Sequence, residues 1–138
     1  TADSSYTEEQ AGRGEQVFTR VCLECHARTE MANADFRLKW GGQTTFDLYK
    51  SIVTTMPDSD PGSLPRADYE DVVAYILKLN GIPAGTAPLS GDSTAMSRKL
   101  VLPPKGDSTA SVGARMLPVQ RLVARRSARL ALVVVLRP

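Results

Sequence analysis

Residues that bind soft metal ions are scarce in this sequence, whose 138 residues include one histidine and two cysteines. A structural zinc site normally has four such ligands, and no second pair is present to complete one. Aromatic residues are also scarce, with three Phe, four Tyr and one Trp. A core of this size is marginal without a cross-link or a cofactor. Because no run of about 18 apolar residues occurs, we expect no helix of this chain to span a membrane.

The charge of the chain is divided between its two ends. Residues 1–96 carry eight Lys and Arg against fourteen Asp and Glu, a net charge of −6. Residues 97–138 carry nine Lys and Arg against one Asp, a net charge of +8. The net charge of +2 for the whole chain therefore describes neither part, and the asymmetry predicts a molecule of two parts.

Three segments carry the sequence signals of helices and helix ends. They run from a capping box at Thr7 to Cys22, from Thr44 or Thr45 to the residue before Pro57, and from about Pro65 to a stop signal at Asn80-Gly81. Before residue 82, no segment alternates apolar and polar residues convincingly, as a half-buried strand would. The predicted fold class is all-α. Gly12 and Gly14 are poor helix formers in the first helix, and they predict the close approach of another backbone.

Beyond Gly81 the composition changes, and the sequence predicts three regions. Residues 1–84 form the helical domain, residues 85–120 a linker rich in Pro and Gly, and residues 121–138 a basic and apolar tail segment. The apolar run Leu130–Leu136 would extend only about 10 Å as a helix, against the ~30 Å of a bilayer core. The charge of residues 97–138 favours contact with an acidic protein or a membrane surface, and the alternative is a solvated, disordered extension.

Both cysteines and the only histidine lie in one hexapeptide, VCLECH, at residues 21–26. Two thiols at this spacing can bond to the two vinyl groups along one edge of a porphyrin, and the histidine that follows can bind the iron. The sequence therefore predicts one haem c (heme c), covalently attached through Cys22 and Cys25, with His26 as an iron ligand. The alternatives are half of a zinc site, a redox-active dithiol and an inert disulfide. The first lacks ligands, the second normally belongs to a βαβ unit, and the third leaves His26 without a role.

The opposite face of the iron needs its own ligand, and the candidates are the four methionines, Met31, Met56, Met96 and Met116. Met31 follows His26 too closely to reach the other face of a porphyrin, and Met96 and Met116 lie in the predicted linker and tail. Met56 comes thirty residues after His26, beside a proline, where extended backbone can hold a thioether against the iron. Met56 is therefore the predicted second metal ligand, and the alternative is a methionine that only fills the core.

Together these features resemble a class I monohaem cytochrome c between about Glu8 and Ala84. The resemblance rests on the N-terminal helix, CLECH at 22–26, TTMP at 54–57 and YEDVVAYIL at 69–77. The amino-acid sequences of the last two segments are similar to those of bacterial cytochrome c domains that are found with, or fused to, quinoprotein dehydrogenases. The basic extension after about residue 85 is not part of the family's minimal fold.

This resemblance implies a small cytochrome c fold, with three to four helices around one covalent haem. It also implies that the first and last helices cross near Gly14, Phe18 and Tyr75. Trp40 becomes a candidate to lie near a haem propionate and so to contribute to cofactor binding, with an ordinary core aromatic as the alternative.

The predicted function is one-electron transfer between redox protein partners, with no bond chemistry on a substrate, so we do not expect an enzyme. The polar start of the chain fits a periplasmic or otherwise extracytoplasmic protein whose leader has been removed, and that location disfavours nucleic acid as a partner. Two alternatives are a cytochrome subunit anchored by its basic tail in a larger redox or photosynthetic complex, and a haem peroxidase or sensor if Met56 does not bind the iron.

Overall fold

The computed structural model describes residues 6–102, which contain four α-helices and three short 3₁₀ helices. The α-helices are α1 (Glu8–Val21), α2 (Ala34–Trp40), α3 (Thr45–Thr55) and α4 (Arg66–Leu79). The 3₁₀ helices are Cys22–Glu24, Arg28–Ala32 and Thr94–Ser97. Over residues 6–102 the only β pairing is one isolated bridge, so the predicted all-α class is confirmed. None of the helices in this range is long and apolar enough to cross a membrane.

The predicted helix starts at Thr7 and Thr44 are confirmed by their side-chain hydrogen bonds. The Thr7 hydroxyl accepts from the backbone N–H of Gln10 at 3.2 Å. At α3, the Thr44 hydroxyl accepts from the N–H of Asp47 at 3.1 Å, and the Asp47 carboxylate accepts from the N–H of Thr44 at 2.9 Å. These bonds satisfy N–H groups that have no partner within the first turn of a helix.

The end of α4 follows from Gly81, as the Asn80-Gly81 signal predicts. Gly81 has φ +78°, a left-handed conformation that glycine adopts at little steric cost. The N–H of Gly81 donates to Lys78 at 3.0 Å, and the N–H of Ile82 donates to Leu77 at 3.1 Å. These two bonds form a Schellman motif, which satisfies the last carbonyls of the helix and turns the chain away from it.

The helices α1 and α4 form the main helix pair and cross at Gly14. A Cβ atom at Gly14 would lie 1.8 Å from the carbonyl oxygen of Asp71 and 2.9 Å from the Cβ atom of Tyr75. One turn along, the rings of Phe18 and Tyr75 are tilted against each other with centroids 5.6 Å apart. The crossing implied by the family resemblance is therefore confirmed. At Gly12 nothing lies within 4 Å of a Cβ position, so the prediction of a close backbone there is wrong.

Residues after Gly81 continue to pack on the helices. Leu89, Met96 and Leu100 are at most 3% exposed and belong to the same core cluster as α1 and α4. The side chain of Gln10 is also buried and makes two hydrogen bonds to the backbone of Leu89, donating to its carbonyl at 2.8 Å and accepting from its N–H at 2.7 Å. The first part of this segment therefore packs against α1.

The same segment ends beside the start of α3. The N–H of Thr45 donates to Arg98 at 2.9 Å, and Leu100 exchanges backbone hydrogen bonds with Gly42 and Gln43 at 2.9 and 2.7 Å. The sequence assigns residues 85–120 to a linker, but the packed part of the chain continues past residue 84 as far as Leu102. The rest of that predicted linker and the predicted tail, 121–138, lie outside the described residues.

Candidate haem site

The two cysteines and the histidine lie on a single turn at the end of α1. The N–H of Cys22 donates to Phe18, which makes Cys22 the last residue bonded into the helix. The carbonyl of Cys22 then accepts from the N–H of Cys25 at 3.2 Å and from the N–H of His26 at 2.9 Å. Because α1 is held by its crossing with α4, this turn has a defined place on the domain.

Both cysteines are free thiols, one half-buried and one exposed. Burial raises the pKa of the Cys22 thiol, whereas reactive dithiols depend on a lowered thiol pKa. No strand is found over residues 6–102, so the βαβ context of a thioredoxin-like dithiol is missing there. The inert disulfide and the redox dithiol are therefore both disfavoured. Thioether bonds to a porphyrin fit two unpaired sulfurs on one turn.

The imidazole of His26 is one-third exposed and has one nitrogen engaged. Its Nδ1 atom lies 3.3 Å from the Oε2 atom of Glu30, and the same oxygen accepts from the N–H of Ala27 at 3.2 Å. A proton on Nδ1 leaves the Nε2 lone pair for a metal. Within residues 6–102, no three side chains of His, Cys, Asp or Glu come together as a metal cluster, so zinc is not supported there.

Met56 lies immediately after α3, and three hydrogen bonds hold its backbone. Its N–H donates to Ile52 at 2.8 Å, and its carbonyl accepts from the hydroxyl of Tyr69 at 2.8 Å and from the N–H of Gly62 at 3.3 Å. The residue has extended backbone angles, φ −126° and ψ 148°, and the peptide bond to Pro57 is cis. The residue as a whole is half-buried.

The other methionines differ in position. Met96 is 2% exposed and packs within the core cluster. Met31 lies in the 3₁₀ helix Arg28–Ala32, five residues after His26, and is partly buried against the core. Met116 lies outside the described residues.

Trp40 is 8% exposed and packs in the core, with its ring 6.3 Å from that of Phe36 and the Nζ atom of Lys39 5.1 Å from its centroid. These contacts agree with a core aromatic. A role beside a haem propionate stays a prediction.

The residues present fit an apolar cofactor. Between Cys22 and Leu64, several large apolar side chains pack against the core but are only partly buried: Leu23, Met31, Phe36, Tyr49, Ile52 and Leu64. A porphyrin is a large apolar surface and would bury such side chains further, which is favourable by roughly 25 cal/mol for each Å² removed from water. Two thiols that can bond to the porphyrin and an imidazole on the same turn suit the attachment of c-type haem, and a thioether is a known iron ligand in cytochromes c.

Two contacts of this site are not predicted from the sequence. Glu30 lies four residues after His26, and that spacing on a helical turn is a signal that could have identified it. Tyr69 is the first residue of the YEDVVAYIL segment, and the sequence gives it no role at this site. Its hydrogen bond to Met56 joins residues thirteen positions apart across a loop, so no local pattern predicts it.

The family model described as "Cytochrome C oxidase, cbb3-type, subunit III" matches residues 9–76, about half of the chain. Searches of curated proteins and of solved structures found none with a significant match. The matched range contains both cysteines, His26, Met56 and most of the two helices that cross at Gly14. The match, the all-α fold and the Cys22–His26 turn together support a monohaem c-type cytochrome of electron transport, whose haem c is bound covalently through Cys22 and Cys25.

Proposed function

We propose that this chain is a one-electron carrier in which His26 and Met56 would hold the haem iron. The observation that carries this proposal is the fixed backbone of Met56, a half-buried residue at the end of α3. When bound, the haem supplies a reversible Fe(II)/Fe(III) couple, and the protein sets its potential and its access.

The residues of the site have separate tasks in this proposal. Cys22 and Cys25 hold the ring, and His26 donates its Nε2 lone pair from the same turn. Met56 would hold the iron through its thioether and so keep oxygen and peroxide from it. Its thioether also favours the ferrous state and so raises the potential. Tyr69 keeps the Met56 backbone in place through its hydroxyl.

Partner contact is proposed at the exposed side of the cysteine turn. Cys25 is exposed while Cys22 is half-buried, so the bonded edge of the porphyrin would lie near the surface at Cys25. A small contact there suits the weak, transient interfaces of electron-transfer proteins. We place the protein outside the cytoplasm, where c-type cytochromes typically occur. A quinoprotein dehydrogenase is the proposed donor, on the sequence resemblance alone.

A second candidate function is a cytochrome subunit of a larger redox complex, because the matching family is described as an oxidase subunit. The +8 charge of residues 97–138 supplies an acidic-protein or membrane-surface contact in this case. Residues up to Leu102 pack on the domain, so the informative truncation removes residues 103–138 only. A subunit loses salt-sensitive association with its complex on this truncation, whereas a diffusing carrier exchanges electrons with its partner at an unchanged rate.

Absorption spectroscopy of the oxidised holoprotein tests the axial ligation. A thioether bound to ferric haem gives a weak band at the red edge of the visible spectrum. We expect this band in the unmodified protein and in Met31→Ala, and we expect Met56→Ala to lack it. Loss of the band in Met31→Ala with retention in Met56→Ala would refute Met56 as the ligand. Absence of the band from the unmodified protein would favour a peroxidase or sensor with an open iron position.

A further inference from the structure

Glu30 holds its carboxylate against the imidazole of His26. The Oε2 atom lies 3.3 Å from Nδ1 of the ring and accepts from the N–H of Ala27 at 3.2 Å. The second contact anchors the carboxylate at the start of the 3₁₀ helix Arg28–Ala32. The carboxylate is therefore placed by the backbone of its own turn, and its position does not depend on a mobile partner.

The cationic side chain nearest to this pair in the sequence makes its hydrogen bonds to other groups. Arg28 lies between His26 and Glu30 in the sequence, but its Nε atom donates to the hydroxyl of Tyr75 at 3.1 Å and its Nη2 atom donates to Thr19 at 2.7 Å. The guanidinium thus braces α1 against α4 at their crossing. It leaves the Glu30 carboxylate to the imidazole and the Ala27 N–H.

We propose that Glu30 is the positioning residue of the iron-binding histidine and lowers the reduction potential of the haem. This inference rests on the proposed role of His26. The carboxylate accepts the Nδ1 proton, which fixes the tautomer with Nε2 free and sets the orientation of the ring. A negatively charged acceptor also makes the imidazole a stronger electron donor, and this favours the ferric state. Glu30 thereby opposes the thioether of Met56, which raises the potential.

A variant that removes only the charge of Glu30 distinguishes its proposed effect on the reduction potential from a purely structural role. Glu30→Gln keeps an oxygen that accepts from the N–H of Ala27, so it retains the helix cap and removes the charge. Glu24→Gln is the matched control, because Glu24 is also exposed, lies in a 3₁₀ helix of its own, Cys22–Glu24, and is two residues from His26. The substitution Glu24→Gln removes the same charge near the site, but it removes no hydrogen bond to the ring.

The test is the midpoint potential of the holoprotein in the unmodified, Glu30→Gln and Glu24→Gln forms. Replacing an outer-shell partner of a metal-bound histidine typically changes metal affinity or activity by 10–100-fold, and we take the same scale for the redox equilibrium. Because Glu30 is half-exposed, we expect the lower end, about a tenfold shift of the one-electron equilibrium toward the ferrous state. That is a rise of about 59 mV in Glu30→Gln. Glu24→Gln should shift the potential by clearly less. Equal shifts in both variants, or no shift in Glu30→Gln, would overturn the proposal.

A second measurement needs no variant. In the reduced, diamagnetic holoprotein, we expect nitrogen-resolved NMR to show a proton on Nδ1 of His26 that exchanges slowly with water. A ring that is one-third exposed would otherwise lose this proton rapidly, and rapid exchange would contradict the hydrogen bond to Glu30. The red-edge absorption band of the unmodified protein reports separately on Met56. A missing band therefore refutes the ligation scheme and leaves the result on Glu30 to be judged by the NMR signal.

Discussion

Replacing Gly14 by alanine should disrupt the crossing of α1 and α4 on which the cysteine turn depends. The added Cβ atom would lie 1.8 Å from the carbonyl oxygen of Asp71 and 2.5 Å from its carbonyl carbon. Both are backbone atoms of α4, so no side-chain rotation relieves the contact. Gly12 provides a matched control two residues earlier in the same helix, because a Cβ atom there meets nothing within 4 Å.

The two substitutions should have opposite effects on stability. Ordinary contact begins near 3.4 Å, so Gly14→Ala requires the helices to separate by about 1.6 Å at the crossing. Overpacking in a core typically costs 1–3 kcal/mol and more where the backbone must move, so we expect a loss of at least ~3 kcal/mol. Gly12→Ala should instead increase stability by roughly 0.5–1 kcal/mol, because alanine is the better residue within a helix.

Urea unfolding of the three holoproteins measures this difference, followed both by helical circular dichroism and by haem absorption. With a slope of about 1–3 kcal/mol per molar urea, Gly14→Ala should unfold at least ~1 M earlier than the unmodified protein. Gly12→Ala should unfold slightly later. If Gly14→Ala unfolds at the unmodified midpoint, the close crossing is wrong. If both alanines destabilise equally, the glycines are needed for a reason other than this contact.

Two further substitutions test the packed segment and the anchor of the proposed ligand. Gln10→Ala leaves the buried N–H and carbonyl of Leu89 without partners and should cost about 1–3 kcal/mol in urea unfolding, whereas Gln16→Ala on the exposed face of α1 should change stability by less than about 0.5 kcal/mol. Equal effects would mean that the segment after Gly81 does not pack on α1. Tyr69→Phe removes the hydroxyl that donates to Met56, so cyanide should bind the ferric protein more tightly, and an unchanged cyanide affinity would contradict the anchoring role.

Much of the helical frame could be predicted because its signals are local. The caps at Thr7 and Thr44 and the stop at Gly81 each lie within four residues of the group they satisfy, and all three are where the sequence places them. By contrast, α2 has only seven residues, and its one strongly buried side chain is Trp40. Seven residues are too few for a helical period to emerge, so this helix escaped prediction.

The segment after Gly81 shows what composition alone misses. Its prolines and glycines are typical of a linker, yet it is held by contacts between distant positions. The hydrogen bonds of Gln10 with Leu89 span 79 residues, and those of Thr45 with Arg98 span 53. A pattern read along the chain contains no information on such pairs, and the apolar residues that this segment buries are widely spaced. Its burial could only be found from the structure.

The residues of the candidate haem site also include some that the sequence predicts and some that it does not. Cys22, Cys25 and His26 are close in sequence, and their chemistry follows from spacing alone. The hold on Met56 depends on Tyr69, which reaches it from another helix. The contact of Glu30 with His26 depends on one turn of 3₁₀ helix forming between them.

The central claim is that His26 and Met56 would both hold the haem iron and leave no open site on it. Exposure of the reduced holoprotein to carbon monoxide tests it most directly, because this gas binds ferrous haem readily only where a position is open. We predict that the spectrum of the reduced protein stays unchanged at neutral pH, and that Met56→Ala forms the carbon monoxide complex. Rapid, stoichiometric binding by the unmodified protein would contradict the account and indicate an open position of the kind that a peroxidase or a gas sensor uses.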